Sequence, residues 1–147
     1  MLGFVMSCML ATVLGRLAWI DFRTLRLPDI YTFPLIAAGL LLAAVQDSVS
    51  LSASVAGGMV AYGLFWAIGY FYFTRFGSEG LGLGDAKLFA ASGTWLGVMD
   101  LPYVLLVASV GGLVCAGLTG AAQIKGKVAF GPWLCLGFFA VWAVRNI

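Results

Sequence analysis

Residues 51–73 read LSASVAGGMVAYGLFWAIGYFYF, an apolar run without a single charged side chain. A helix needs about 20 such residues to cross the hydrocarbon core of a bilayer. The whole chain shares this character: of its 147 residues, 63% are hydrophobic and only 10% are charged, whereas soluble domains carry about 25% charged residues. A soluble fold of this length has too little interior to hide so much apolar surface. The sequence therefore predicts an integral membrane protein.

Hydropathy on either side of this run predicts an all-α, polytopic fold with about six transmembrane helices. The predicted helices are Leu2–Ile20, Ile30–Val45, Leu51–Phe73, Ala86–Val98, Leu101–Ile124 and Val128–Val144. We expect them to form a single membrane-embedded domain over residues 1–147. The fourth is short enough to be a partial span, which would bring Asp85 below the membrane surface. On the fifth, small residues at Ala108, Gly112, Ala116 and Gly120 predict a packing face within the chain rather than a dimer motif.

The basic residues predict the orientation of these helices. Arg16, Arg23 and Arg26 flank the first connection, Arg75 and Lys87 the third, and Lys125 and Lys127 the fifth. The second and fourth connections hold no Lys or Arg, and only Arg145 departs from the pattern. Because cytoplasmic loops carry the excess of Lys and Arg, the odd-numbered connections are predicted to be cytoplasmic and the N-terminus to lie outside. Trp95 and Trp142 would then lie near the outer membrane interface.

Composition also excludes several kinds of site. The chain has no histidine, which excludes Ser-His-Asp and Cys-His catalysis and the HExxH zinc site. Cys8, Cys115 and Cys135 stand singly in apolar runs and indicate neither a disulfide framework nor a zinc site. The net charge of +2 is too small to indicate nucleic-acid binding. We predict no metal and no organic cofactor.

Two carboxylates beside apolar runs are the candidate functional groups. Asp21 follows the first run, and Asp85 closes the stretch Gly80-Leu81-Gly82-Leu83-Gly84-Asp85. An ionisable group next to lipid is costly and marks a functional-site hypothesis, and two carboxylates that share a proton are the machinery of aspartic proteolysis. The alternative for Asp85 is a cap on a helix that starts at Ala86. Asp29, after Pro28, is read more readily as the N-cap of the second helix than as a catalytic group.

The glycines before Asp85 suggest how a peptide could be held there. Gly80, Gly82 and Gly84 free the backbone to adopt positive φ and allow another chain to approach closely. A protease must bind its substrate in an extended form, which such a segment suits. A phosphate-binding P-loop is excluded because no Gly-Lys-Ser/Thr follows.

Three stretches resemble the type IV prepilin peptidases. The segment from Asp21 to Asp29, ending in Leu27-Pro28-Asp29, resembles their first catalytic motif. Gly82-Leu83-Gly84-Asp85-Ala86-Lys87-Leu88 resembles the second, the GxGD motif, and Phe130-Gly131-Pro132-Trp133-Leu134 is similar to their Phe-Gly-Pro segment. The stretches occur in the family's order across most of the chain. By itself the GxGD element is less specific, since intramembrane proteases of the presenilin and signal peptide peptidase type carry it too.

The resemblance implies a membrane aspartic endopeptidase. It places the catalytic aspartates on Asp21 and Asp85, and substrate binding or motif support on Gly82, Gly84, Pro28, Asp29 and Lys87. The implied substrates are pilin-like precursors with a basic leader and an apolar helix that lies in the membrane lipid. The implied location is the bacterial inner membrane, as a multi-pass protein with its active site facing the cytoplasm.

One departure from the family's large members affects the expected activity. Those members carry an N-terminal cytoplasmic region with paired C-x-x-C motifs and also methylate the new N-terminus. Asp21 comes too early in this sequence for such a region, so methyltransferase activity is doubtful. The short form resembles the compact peptidases of tight-adherence (Flp) pili and the archaeal preflagellin peptidases.

Three alternatives to this function stay open. The chain could be an intramembrane protease that cuts transmembrane helices, although motifs at helix ends argue against a site deep in the bilayer. It could be a small proton-coupled carrier or channel that uses both carboxylates as a relay, although it lacks the internal repeat found in many transporters. The third alternative is a non-catalytic subunit of a pilus or secretion system. The sequence predicts no oligomeric state.

Overall fold

The computed structural model describes residues 2–47, 49–78, 81–119, 123–124 and 127–146. Its helices are α1 (Leu2–Thr24), α2 (Asp29–Val45), α3 (Leu51–Phe76), α4 (Leu83–Leu96), α5 (Leu101–Thr119) and α6 (Gly131–Asn146). A 3-10 turn, Val98–Asp100, joins α4 to α5. The two short strands β1 (Gln123–Ile124) and β2 (Lys127–Val128) pair antiparallel between α5 and α6. The all-α prediction with six helices is confirmed.

Three of these helices are long and apolar enough to cross a membrane. They cover Gly3–Thr24, Leu51–Phe76 and Val98–Leu118, the last including the 3-10 turn. α2 is apolar but has 17 residues, and α4 has 14, which at 1.5 Å per residue is short of a hydrocarbon core about 30 Å thick. The chain is therefore a membrane protein, while six full spans and an outside N-terminus stay predictions.

Contacts divide the chain into two compact units. One comprises residues 27–101 and the other residues 1–26 with 102–147. The first unit therefore holds α2, α3 and α4, and the second holds α1, α6 and all of α5 after Leu101. The single domain over residues 1–147 stays a prediction.

In the unit of residues 27–101, α4 is the central helix. Every residue from Leu88 to Leu96 is buried. The Trp95 indole donates to the carbonyl oxygen of Leu35 in α2 at 2.8 Å. The indole thus satisfies its N–H inside the unit, and the place of Trp95 near the outer membrane interface stays a prediction.

Glycines let α3 approach α4 until their backbones touch. A Cβ built on Gly57 would collide with the carbonyl of Gly93, and one on Gly93 would collide with the backbone of Gly57. Next to this crossing, the Ser54 hydroxyl of α3 donates to the Thr94 carbonyl oxygen of α4 at 2.5 Å. Small residues at such crossings favour helix association in lipid, where no hydrophobic gain drives it.

In the other unit, α1 packs on α6 through one stripe of side chains. Leu10, Leu14 and Leu17 are buried at helical spacing, and Asp21 continues the same face. At the far end of the stripe, the Trp142 indole donates to the Ser7 hydroxyl at 3.0 Å. Trp142 is buried by this contact, and its place near the outer membrane interface stays a prediction.

The packing face predicted on α5 is only partly observed. Ala108 is buried and Gly112 lies within contact distance of the Trp133 ring, but Ala116 is exposed. Gly111, which falls outside the predicted series, makes the closest approach to Trp133. Gly120 lies outside the described residues.

The glycine crossing generates the first prediction. Gly57→Ala should lower the free energy of unfolding by about 1–3 kcal/mol, because the added methyl has no room against the Gly93 carbonyl. Thermal unfolding of the detergent-solubilised protein would measure the loss. Gly63→Ala is the matched control in the same helix, since a Cβ there meets nothing within 4 Å. Equal unfolding midpoints for the two variants would contradict the close contact of α3 and α4 at Gly57 and Gly93.

Candidate functional site

Asp21 lies at the end of the buried stripe of α1. The residue is 5% exposed. The backbone N–H of Gly131, the first residue of α6, donates to Oδ2 of Asp21 at 3.1 Å. A Cβ on Gly131 would collide with the Asp21 carboxyl group. The Phe-Gly-Pro segment therefore contacts the first motif aspartate directly.

The chain after Asp21 makes a tight end to α1. The N–H of Leu25 donates to the carbonyl oxygen of Asp21 at 2.8 Å. Leu25 has φ 53°, the left-handed conformation that side chains with a Cβ rarely adopt. On the outer surface of this last turn, the Arg23 guanidinium lies 4.8 Å from the centre of the exposed Trp19 ring. A cation stacked on an exposed indole suits a membrane interface.

The second half of the first motif packs against the GxGD motif. Leu27 is buried, and its Cβ would lie 2.9 Å from a Cβ built on Gly84. Gly84 thus provides the close approach that the sequence predicted for this glycine segment. Positive φ does not occur at Gly82 or Gly84; among the described glycines it occurs at Gly77 and Gly97. Gly80 lies outside the described residues.

An ion pair ties the same two segments together. Nζ of Lys87 lies 2.7 Å from Oδ1 of Asp29, with the Lys87 side chain 21% exposed and that of Asp29 55% exposed. The ammonium group also lies 5.1 Å from the centre of the Phe33 ring. Asp29 was predicted as the N-cap of the second helix, and that prediction is wrong. Pro28 occupies the cap position, and the Asp29 carboxylate pairs with Lys87 instead.

Asp85 lies in the first turn of α4. The helix begins at Leu83, with Gly82 in the capping position, so the alternative that Asp85 caps a helix starting at Ala86 is wrong. The side chain is half-buried, and its Oδ2 lies 4.0 Å from where a Cβ on Gly82 would be. Gly82 itself is exposed. The first turn of a helix favours a negative charge.

The structure thus groups the predicted site residues in two sets. Pro28, Asp29, Gly84 and Lys87 belong to one unit together with Asp85, and they link the two motifs. Asp21 belongs to the other unit, where Gly131 contacts it. The catalytic roles of the two aspartates stay predictions.

Two of these contacts were missed by the sequence reasoning. The motif resemblance included Gly131 but gave it no contact with Asp21. A signal was present in α1, because Leu10, Leu14, Leu17 and Asp21 are spaced by four, three and four residues and must share one face. The pairing of Asp29 with Lys87 had no such signal, since nothing in the sequence sets the distance between residues of different helices.

Comparisons with known proteins find relatives over most of the chain. The model of the type IV leader peptidase family matches residues 8–117, a range that includes Asp21 and Asp85. A prepilin leader peptidase/N-methyltransferase of Escherichia coli K12 is 40% identical over 136 residues, which are 91% of this chain and 59% of the relative. Proteins of the same name from Pectobacterium carotovorum and Aeromonas hydrophila are 41% and 39% identical over 89% and 91% of this chain.

The chain spans about half the length of these relatives: 59%, 48% and 47% of the three. No solved structure matches it significantly. The family model nevertheless covers well over half of the chain and includes both motif aspartates. This chain belongs to the type IV leader peptidase family.

Proposed function

We propose that this protein is an aspartic endopeptidase that cleaves the leader peptide from type IV prepilin-like precursors, with Asp21 and Asp85 as its catalytic groups. The observation that carries the proposal is the family match, which contains both aspartates. The surroundings of each support the assignment. Asp21 is buried with one backbone donor, and Asp85 is half-buried at the start of α4 beside an exposed glycine.

In the proposed mechanism the two carboxyl groups share one proton. The ionised group takes a proton from water as the water oxygen bonds to the scissile carbonyl carbon, and the protonated group gives its proton to the carbonyl oxygen. On collapse, the C–N bond breaks. A hydroxyl proton of the intermediate returns to one carboxyl group, and the other gives its proton to the leaving nitrogen. The pair again holds one proton, which belongs to both groups together.

The proposed substrates have a basic leader followed by an apolar helix. That helix would lie in the lipid beside the enzyme, and the leader would unwind at the cytoplasmic face of the bacterial inner membrane. The Lys and Arg pattern supports this side. The helix directions within each unit also fit a multi-pass topology, because α3 runs antiparallel to α4, and α1 antiparallel to α6.

The finer assignment is to precursors of the Flp, or tight-adherence, type. It rests on the resemblance of this sequence to the peptidases of that system. Methylation of the new N-terminus, the second activity in the relatives' name, is not part of the proposal.

We propose that Asp29 and Lys87 support the site rather than carry out the chemistry. Their ion pair, together with the packing of Leu27 on Gly84, holds the first motif against the first turn of α4. Asp85 lies two residues before Lys87 in that turn. Movement of the turn would therefore displace the carboxylate that the mechanism requires.

The catalytic pair can be tested by cleavage in membranes. The chain would be co-expressed with a pilin-like precursor from the same genome. Asp21→Asn and Asp85→Asn keep the size and polarity of the side chain but remove its proton chemistry, so each should abolish removal of the leader. Asp47→Asn is the matched control in an exposed turn and should cleave like the wild type. Full cleavage by either site variant would rule out the two-aspartate mechanism.

The supporting ion pair can be tested with a double-mutant cycle. Asp29→Asn and Lys87→Met should each lower kcat/KM up to about fivefold, as expected for loss of a partly exposed pair worth about 0.2–1 kcal/mol. The double variant should be no worse than either single variant, because each change already breaks the pair. Losses that multiply in the double variant would show that the two residues act independently.

A further inference from the structure

Gly131 contacts Asp21 in two ways, through a hydrogen bond and through the space that its missing side chain leaves. The Gly131 N–H donates to Oδ2 of Asp21, and the space where a side chain would begin at residue 131 is occupied by the same carboxyl group. One residue thus donates a hydrogen bond to the carboxyl group and leaves room for it.

Backbone conformation does not explain the glycine. Gly131 does not have the positive φ that favours glycine. It is the first residue of α6, where alanine has the better helix propensity. The atoms that exclude a Cβ are Oδ2, Cγ and Cβ of Asp21. Glycine at 131 is therefore explained by the Asp21 carboxyl group.

The start of α6 is well placed to fix this donor. The Leu134 N–H bonds to the carbonyl oxygen of Phe130 at 3.1 Å, which closes the first turn around Gly131. Leu134 is fully buried, and Trp133 packs on Gly111 of α5. The N–H at residue 131 is held by its own helix and by α5, so its position does not depend on Asp21.

We infer that Gly131 is a positioning residue that orients the Asp21 carboxyl group for catalysis. Its N–H binds Oδ2, and the missing Cβ leaves room for the carboxyl group, so that the group is held in one position and Oδ1 is the oxygen left for the chemistry. The inference rests on the proposed function, in which Asp21 is one of the two catalytic groups.

The first test separates the rate of chemistry from substrate binding. Gly131→Ala should lower kcat by about 100-fold, the loss that a displacement of about 1 Å in a catalytic group can cause. The KM for the precursor should not change, because the substitution acts on the position of the Asp21 carboxyl group, to which the proposal gives the chemistry rather than leader binding. Gly15→Ala is the matched control in α1, at an exposed position where a Cβ meets nothing within 4 Å, and should cleave like the wild type.

A second measurement keeps the inference testable if Gly131→Ala folds poorly. Gly131→Ala should lower the thermal unfolding midpoint in the wild-type background. Most of that loss should disappear in the Asp21→Ala background, because the carboxyl group that collides with the new methyl is gone. If glycine were needed only for the helix start, Gly131→Ala would lower the unfolding midpoint equally in the wild-type and Asp21→Ala backgrounds.

The outcomes separate this inference from the proposed function. Cleavage by Asp21→Asn would refute the catalytic role of Asp21 and with it the proposed function. With Asp21→Asn inactive, the positioning role of Gly131 fails if Gly131→Ala cleaves at the wild-type rate. It also fails if the alanine costs the same thermal stability with and without the Asp21 carboxyl group.

Discussion

In lipid, no hydrophobic effect drives apolar helices to associate. The helices of this chain therefore pack where glycine allows close contact. Gly57 and Gly93 bring α3 and α4 together until backbone meets backbone. Gly137 does the same for α6 against the Val104 carbonyl of α5. Dispersion forces act only over such short separations. Close approach is therefore the constraint on which the packing of each unit depends.

The candidate site uses the same device for a different purpose. Gly84 admits Leu27, and Gly131 admits the carboxyl group of Asp21. In both cases the missing side chain lets one motif segment lie directly against another. These two motif glycines thus bring neighbouring motif residues into contact, and a loss of activity on replacing either would be a geometric effect.

Polar groups are placed where each can be satisfied. The buried stripe of α1 has Ser7 at one end and Asp21 at the other. α6 supplies a hydrogen-bond donor to each, the Trp142 indole to Ser7 and the Gly131 N–H to Asp21. Within the other unit, Ser54 donates to the carbonyl of Thr94. An unpaired polar group in a low-dielectric interior costs several kcal/mol. These bonds therefore also fix the register in which the helices pack.

Hydropathy was enough to predict six helices, because length and apolar character are properties of the sequence alone. The start of α4 was predicted at Ala86 because glycine is a poor helix former. The helix in fact begins at Leu83, since the contact of Gly84 with Leu27 outweighs that propensity. The fifth helix was extended to Ile124, which lies in a short strand. Strands are recognised from an alternation of apolar and polar residues, and a strand of 2 residues is too short to show it.

Contacts across helices were the least predictable part. The motifs indicated Asp21, Asp29 and Lys87 as site residues, but only the folded unit shows that Asp29 pairs with Lys87. Trp95 was assigned to the membrane interface from its amphipathic ring, and the buried carbonyl of Leu35 that accepts its N–H could not be inferred from sequence. Register between helices is decided by packing, which composition does not encode.

The end of α1 after Asp21 is itself constrained. Leu25 keeps a left-handed backbone, which costs a residue with a Cβ about 1–2 kcal/mol. Such a conformation persists only where its surroundings enforce it. Here the Leu25 N–H is held by the Asp21 carbonyl, and the Thr24 hydroxyl lies 2.8 Å from the Ile20 carbonyl oxygen and 3.2 Å from that of Arg26. The end of α1 is thereby stiffened one turn after the carboxylate, where a frayed helix would let Asp21 swing away from Gly131.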